Sequence, residues 1–295
     1  MTQQEPLGSE ARAQETDDGS GAHEIAPDLA YALLLMVNVV FYGRPGAGDR
    51  EWVLIDAGLI GTGFRIKRLA RQRFGEHSRP KAILLTHGHF DHVGVLEDLA
   101  EEWDVPVYAH EREHPYLNGR AAYPPGDPKV GGGLLARLSP LFPTRPVNVG
   151  SRLKALPGDH SVPGMPGWRW LHTPGHSPGH VSFWRESDRT MVAGDAFITT
   201  AQESAYAVAL QATELHGPPR YFTIDWESAG SSVAALAALE PELVITGHGR
   251  AMSGPTMRAA LHDLARDFSR VSVPAEGRYV AHPARAEDGS AYHAP

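Results

Sequence analysis

Three histidines and one aspartate lie within the six-residue stretch from 87 to 92, directly after a short apolar run. His87, His89, Asp91 and His92 carry imidazole and carboxylate groups, which are standard protein ligands of divalent metals. Few structural needs of a globular protein concentrate these side chains so densely. The stretch therefore predicts a metal-dependent enzyme.

Other potential ligands are spread along the chain, each close to the end of a strand-like run. Asp56, Asp195 and His248 each follow a short apolar segment, and His176 lies in a Pro- and Gly-rich loop between His172 and His180. Loops that follow strands gather at one edge of a sheet, so we expect these groups to meet the 87–92 stretch in space. A lone surface histidine is usually only solvated, but chance does not explain seven potential ligands in this arrangement.

The bulk properties exclude several classes of function. The 295 residues carry a formal net charge of −8 and no basic stripe, so we expect no nucleic-acid partner. The chain has no cysteine, which excludes disulfides and thiolate metal sites. The apolar run from 31 to 41 is too short to span a bilayer and no leader pattern precedes it, so we expect a cytoplasmic protein without a membrane partner.

The pattern of the chain predicts one domain between two polar tails. We expect an acidic, disordered tail over residues 1–22, a single domain over 23–280 and a flexible tail over 281–295. Within the domain, apolar runs such as 32–41 predict strands, and helical patterns alternate with them. The Gly- and Pro-rich stretch from 116 to 147 predicts a long loop or lid. This order indicates an α/β (α+β) fold with mixed sheets covered by helices.

With all of these motifs in order from Ala32 to Gly249, the chain resembles the metallo-β-lactamase fold superfamily. The resemblance rests on His-x-His-x-Asp-His at 87–92, Pro-Gly-His at 174–176, Gly-Asp at 194–195 and a late Gly-His at 247–248. It implies a four-layer αβ/βα sandwich with metals at one edge of the two sheets.

The resemblance also implies a role for each ligand. His87, His89 and His176 would hold a first metal, and Asp91, His92 and His248 a second, with Asp195 bridging the two. The implied cofactors are two divalent ions, zinc in the first place and otherwise iron or manganese. We expect Asp56, His172 and His180 to orient ligands from behind.

Differences between this sequence and the motifs of known branches of the superfamily restrict the reactions that we expect of it. One class of true β-lactamases uses a cysteine ligand and another lacks the bridging aspartate, whereas this chain has no cysteine and has Asp195. Glyoxalase II shares the histidine motifs but adds a basic, helical C-terminal domain, which we cannot assign after Gly249. Many acyl-homoserine lactonases place a tyrosine where this chain has Ile198.

We therefore predict a hydrolase that cleaves an ester, lactone or thioester bond of a small molecule through a metal-bridging hydroxide. Asp91 would carry a proton to the leaving group. Candidates for the substrate pocket are Phe197, Ile198, Tyr206, Tyr221 and Phe222, together with the loop around 123–142. Two alternatives stay open: a mononuclear iron persulfide dioxygenase, with His87, His176 and Asp195 as ligands, and a non-catalytic metal-binding scaffold. The oligomeric state also stays open, with a homodimer as one option.

Overall fold

Two β-sheets pack face to face, and α-helices cover the outer face of each sheet. The computed structural model describes residues 7–17, 21–130, 133–200 and 214–295. These layers form the αβ/βα sandwich that the sequence analysis predicts, and the protein is of the mixed α/β class.

Within the described part of the chain, the first sheet has eight strands that lie side by side in the order of the sequence. They are β1 (Thr16–Asp17), β2 (His23–Ala26), β3 (Leu29–Leu34), β4 (Val37–Tyr42), β5 (Val53–Ile55), β6 (Ala82–Leu84), β7 (Val107–Ala109) and β8 (Leu153–Ala155). The pairs from β1 to β5 are antiparallel, and those from β5 to β8 are parallel.

The second sheet has five strands from the C-terminal half of the chain. They are β9 (Trp168–His172), β10 (Val181–Arg185), β11 (Thr190–Gly194), β12 (Leu243–Thr246) and β13 (Met252–Ser253). Their order in the sheet runs from β13 down to β9, and among the described strands of this sheet only β11 and β12 pair in parallel.

Seven α-helices are found among the described residues. They are α1 (Gly63–Phe74), α2 (Leu96–Trp103), α3 (His114–Leu117), α4 (Leu134–Leu138), α5 (Trp226–Ala237), α6 (Gly254–Val271) and α7 (Arg278–Ala281). The apolar faces of α1 and α2 pack on the first sheet, and those of α5 and α6 pack on the second.

Alternation of side chains along the strands explains how one sheet serves two cores. Tyr31 and Val40 lie in the core between the sheets. Their chain neighbours Ala32 and Val39 lie in the core beneath α1 and α2. Because both faces are covered, these strands are apolar almost throughout, which is the pattern that made them visible in the sequence.

One predicted strand is in fact a hairpin. The apolar run 32–41 predicts a single strand, but the chain turns at Leu35 and Met36 between β3 and β4. Leu35 has a φ of 64°, and the Met36 N–H donates to the Leu34 carbonyl at 2.9 Å. The turn contains no Gly, Asn or Pro, so the usual sequence signal of a hairpin is missing.

Parts of both predicted tails are ordered, contrary to the expectation of disorder. Ala11 is fully buried in the core beneath α6, and the Tyr31 hydroxyl donates to Glu15 at 2.7 Å. Near the other end, Ala291 is fully buried and its carbonyl accepts from the Tyr116 hydroxyl at 2.8 Å. A few small or aromatic anchors hold these segments, although their overall composition is polar.

The long segment predicted as a loop or lid contains short helices. Helix α4 and a 3₁₀ helix at Ser139–Leu141 lie within it, and residues 131–132 are outside the described part. Its role as a lid stays a prediction. Across the described residues, no helix has the length and apolar character needed to cross a membrane.

Candidate metal centre

The predicted ligands converge at one edge of the two sheets, on loops that directly follow strands. His87 follows β6, His176 follows β9, Asp195 follows β11 and His248 follows β12. The parallel pairing of β11 with β12 brings the last two of these loops side by side. Asp56 follows β5 in the same way, next to the loop after β6.

Seven side chains form one cluster, which we call the His/Asp cluster: His87, His89, Asp91, His92, His176, Asp195 and His248. Their potential ligand atoms fall into three groups, and within each group all the atoms lie within 4.8 Å of one another. The groups are His87/His89/His176, His87/His92/Asp195 and Asp91/His92/His248. Because His87 and His92 each belong to two groups, the groups merge into a single site.

One oxygen of Asp195 lies at the centre of the cluster. Asp195 Oδ2 is 3.1 Å from His248 Nε2, 3.4 Å from His176 Nε2 and 3.6 Å from His92 Nε2. The histidines around this one carboxylate oxygen come from both outer groups. The Asp195 carboxylate is therefore placed between two potential metal positions.

Buried polar atoms without partners show that the cluster fits a metal. His87 Nε2, His92 Nε2 and Asp195 Oδ1 are buried and have no hydrogen-bond partner among the described residues. Leaving such atoms unpaired is costly, so a native site that contains three of them requires an explanation. Imidazole nitrogens and a carboxylate oxygen are donor atoms for divalent cations, and a cation would supply the missing partners.

Asp56 sets the proton positions of two histidines. Its Oδ2 lies 2.9 Å from His92 Nδ1 and accepts from the Thr86 hydroxyl at 2.8 Å. A carboxylate can only accept, so His92 carries its proton on Nδ1 and presents a bare Nε2. The Thr86 hydroxyl has given away its single proton, so it accepts from His87 Nδ1 at 3.1 Å, which leaves His87 Nε2 bare as well.

Backbone carbonyls fix two further rings. His248 Nδ1 lies 2.6 Å from the Met36 carbonyl and must donate to it, which leaves Nε2 free for the cluster. The Thr223 hydroxyl donates to the Pro219 carbonyl at 2.7 Å and therefore accepts from His176 Nδ1 at 3.2 Å. Each of these partners turns a lone pair toward the centre, as is typical of metal-binding histidines.

His180 contacts the backbone of Asp195, and His172 contacts the loop that carries His176. His180 Nε2 accepts from the Asp195 backbone N–H at 2.9 Å, and its Nδ1 lies 2.8 Å from the Thr173 hydroxyl. Burial lowers the pKa of His180 to about 3, so the ring stays neutral and can accept. His172 Nε2 lies 2.9 Å from the Pro178 carbonyl, on the loop that carries His176.

Burial and the neighbouring charges act in different directions on the members of the cluster. Burial lowers the pKa of His87 and of His89 well below the ordinary value. Burial would raise the pKa of Asp195, yet His248 and His92 hold it well below its ordinary value. Burial also acts to lower the pKa of His92, but the surrounding carboxylates, above all Asp195, raise it well above the ordinary value. The carboxylates thus favour a positive charge at this position.

Two glycines of the motifs are required by close packing. A Cβ on Gly247 would lie 2.0 Å from Asp195 Oδ1, so any side chain there would displace the central carboxylate. Gly175 has a φ of 130°, and a Cβ on it would lie 2.3 Å from the backbone nitrogen of Ala229 in α5. The loop that carries His176 therefore lies directly on α5.

The residues predicted to line the substrate pocket lie in different surroundings. Phe197 is fully buried in the core beneath α5 and α6, and its role in a pocket stays a prediction. Ile198 is also fully buried, and its backbone pairs with His216. Tyr206 lies outside the described residues. The Phe222 ring lies next to His89 of the His/Asp cluster, and Tyr221 packs on Phe222 and Phe142.

Four aromatic residues form a group beside the cluster, which we call the aromatic wall: Phe90, Phe142, Tyr221 and Phe222. The ring of Phe222 lies 5.0 Å from that of His89, and the Phe90 ring lies 5.5 Å from the Phe142 ring. Phe90 and Phe142 are only half-buried. Phe90 is not among the predicted pocket residues, although its position between His89 and Asp91 in the sequence could have indicated that it lies near the site.

Comparisons with known proteins agree with this geometry. A family model described as the metallo-beta-lactamase superfamily matches residues 33–248. The chain is 47% identical over 252 residues to the probable metallo-hydrolase YflN of Bacillus subtilis, spanning 85% of this chain and 96% of that protein. It is 27% identical over 140 residues to the hydroxyacylglutathione hydrolase GloC of Haemophilus influenzae, spanning 48% and 60% of the two chains.

A solved structure shows the same fold. It is that of a B3 metallo-beta-lactamase with an active-site glutamic acid, and it aligns with a TM-score of 0.57 at 20% identity. The alignment covers 91% of this chain and 96% of that one. At this identity the likeness concerns the architecture alone.

Proposed function

The chain belongs to the metallo-beta-lactamase superfamily and is a metal-dependent hydrolase, and from this premise we propose that it cleaves an ester, lactone or thioester bond at a centre of two divalent metals. The observation that carries the proposal is the position of Asp195 Oδ2 between histidines of both outer groups. The distant relative named hydroxyacylglutathione hydrolase supports a thioester as one substrate class.

Each half of the His/Asp cluster would hold one ion. We assign His87, His89 and His176 to a first site, and Asp91, His92 and His248 to a second site. Asp195 would bridge the two. Zinc suits this set of imidazoles and carboxylates, and iron or manganese would also fit it.

The ions would activate water and substrate, and the protein would orient the side chains that hold the ions. When bound, two such ions lower the pKa of a shared water and polarise the carbonyl of the scissile bond. Asp56 keeps the Nε2 atoms of His87 and His92 bare, and His180 holds the backbone of Asp195 in place. These contacts set the geometry before the substrate arrives, so little rearrangement is needed in the transition state.

Asp91 is the residue that we propose to carry a proton to the leaving group. Its Oδ2 lies 3.4 Å from His248 Nε2, inside the cluster. Burial raises the pKa of this carboxyl group, and the neighbouring His92 and His248 act to lower it. A carboxyl oxygen not engaged with the cluster could then donate to the departing oxygen or sulfur.

The aromatic wall is the part of the centre that we propose to bind the acyl group. The Phe222 ring lies against His89 of the first site, and Phe90 and Phe142, which pack on Phe222, keep part of their surface exposed. An apolar acyl chain or ring would gain by covering this surface, since each buried side chain of this size contributes about 1.5–3 kcal/mol. A substrate with an apolar acyl group is therefore favoured over a purely polar one.

Hydrolysis and its dependence on metal test the proposed function together. We expect the purified protein to hydrolyse at least one member of a panel of esters, lactones and thioesters. Removal of metal with a chelator should abolish this activity, and added Zn²⁺ should restore it, because the His/Asp cluster alone has no strong nucleophile. The measurements are initial rates with the metal content of the same samples.

Two results would contradict the proposed function. One iron per chain, with oxygen uptake on a persulfide, would indicate a dioxygenase. An intact metal centre with no turnover on the whole panel would indicate a binding scaffold.

An Asp91→Asn variant tests the proton-carrying role. The amide oxygen can still bind a cation, but the amide carries no transferable acidic proton, so kcat should fall by about 10²–10⁴ for an ester with an alkyl alcohol leaving group. The loss should be much smaller for a nitrophenyl ester, whose leaving group needs no proton. Equal losses for both esters in steady-state kinetics would show that Asp91 acts only as a ligand.

A Phe142→Ala variant tests the aromatic wall. We expect KM for a long-chain acyl ester to rise about tenfold, as the loss of a partly buried aromatic contact implies, while KM for the acetyl ester stays nearly constant. The matched control is Leu141→Ala, because the neighbouring Leu141 side chain is 79% exposed. If Phe142→Ala and Leu141→Ala change KM for the long-chain ester equally, the acyl group binds elsewhere in the protein.

A further inference from the structure

We propose that Glu113 is a positioning residue that joins the two histidine loops of the first metal site through a single buried carboxylate. The two loops are 86–89, which carries His87 and His89, and 176–180, which carries His176. The inference rests on the first site assigned under the proposed function, and it adds a residue that contacts neither metal position nor substrate. Glu113 lies in the short 3₁₀ helix Glu111–Glu113 that follows β7.

Each oxygen of this carboxylate binds one of the loops. Glu113 Oε2 accepts from the backbone N–H of Gly88 at 3.0 Å. Glu113 Oε1 accepts from the backbone N–H of Gly179 at 2.7 Å and from the Ser177 hydroxyl at 2.8 Å. The Tyr123 hydroxyl also donates to Oε2. Four donors from three different segments therefore converge on one fully buried side chain.

The bonded groups are next to the potential ligands in the chain. Gly88 lies between His87 and His89, and Ser177 directly follows His176. The two loops are also joined where they leave the sheets, by the bond from the Val181 N–H to the Thr86 carbonyl at 2.9 Å. Glu113 supplies a second link further along both loops, so it limits how far His89 and His176 can move apart.

Close packing makes this link rigid. A Cβ on Gly179 would lie 2.8 Å from Glu113 Cγ, and a Cβ on Gly88 would lie 2.8 Å from the Tyr123 hydroxyl oxygen. Both loops therefore approach the Glu113–Tyr123 pair without an intervening side chain. The Tyr123 ring is 4.3 Å from the His89 ring and is stacked on Tyr116 at 3.6 Å, which supports it from behind.

The chemistry of the carboxylate matches this task. All four partners are donors, and an ionised carboxylate is the side chain that offers two acceptor oxygens with several lone pairs and no proton. A glutamine in this place would turn an amide N–H₂ toward one hydroxyl and one backbone N–H, and the backbone N–H would lose its bond to this side chain in a buried environment. The nitrogens His89 Nδ1 and His176 Nε2 are only 2.8 Å apart, so a small shift of either loop would change the first site.

The effect of Glu113 is measured best on the first site alone. In a His248→Ala background, which removes a ligand of the second site, Zn²⁺ affinity can be measured by competition with a chromogenic chelator. Adding Glu113→Gln should weaken Zn²⁺ binding about tenfold or more, as is typical when a supporting contact of a metal site is lost. The absorption spectrum of bound Co²⁺ should change as well, since it reports ligand geometry and not stability.

Asp127→Asn is the matched control for the loss of a buried carboxylate. Asp127 is 2% exposed and accepts from the backbone N–H groups of Lys129, at 2.9 Å, and Arg278, away from both histidine loops. This variant should keep the Zn²⁺ affinity and the Co²⁺ spectrum of its parent. If the Glu113→Gln protein does not fold, Ser177→Ala removes one bond of the same carboxylate and should also weaken Zn²⁺ binding.

Three results would overturn the inference. They are a parent that binds no Zn²⁺ at the first site, a parent-like affinity in both Glu113→Gln and Ser177→Ala, and an equal loss in Asp127→Asn. A wild-type protein that binds its metals but hydrolyses nothing would instead refute the proposed function and leave the role of Glu113 standing.

Discussion

The buried carboxylate of Asp195 is the constraint around which the rest of the centre is arranged. One of its oxygens lies between three imidazoles, and the other has no hydrogen-bond partner among the described residues. A charge in such a place is stable only with opposite charge nearby. The sandwich meets this need because strands of both sheets end at the same edge, and the loops that follow them bring imidazoles to Asp195 from both sides.

Contacts from neighbouring residues fix the orientation of the side chains in the His/Asp cluster. Asp56, directly and through Thr86, keeps the nitrogens of His92 and His87 bare. His180 holds the Asp195 backbone, and Gly247 leaves room for its carboxylate. Each of these partners is buried, so the low dielectric strengthens the contacts and makes a misplaced polar group costly. The arrangement holds the donor atoms of the His/Asp cluster in a geometry that fits metal binding.

The potential ligands were predictable because metal chemistry restricts both residue type and local spacing. His87, His89 and His92 needed only their sequence neighbours to be recognised, and the layers followed from the family resemblance and the apolar strands. The contribution of Glu113 could not be predicted in this way, since it lies in a charged run that is typical of a solvated turn, and its partners come from distant segments. For the same reason the hairpin at Leu35, which has no glycine, and the burial of Phe197 beneath the helices were visible only in three dimensions.

The most direct test of a two-metal centre is anomalous diffraction from crystals of the metal-loaded protein. Data collected at the absorption edge of the bound element should show two peaks. We expect one among His87, His89 and His176 and the other among Asp91, His92 and His248, with Asp195 between them. A single peak at full occupancy, or peaks away from these side chains, would contradict the dinuclear account.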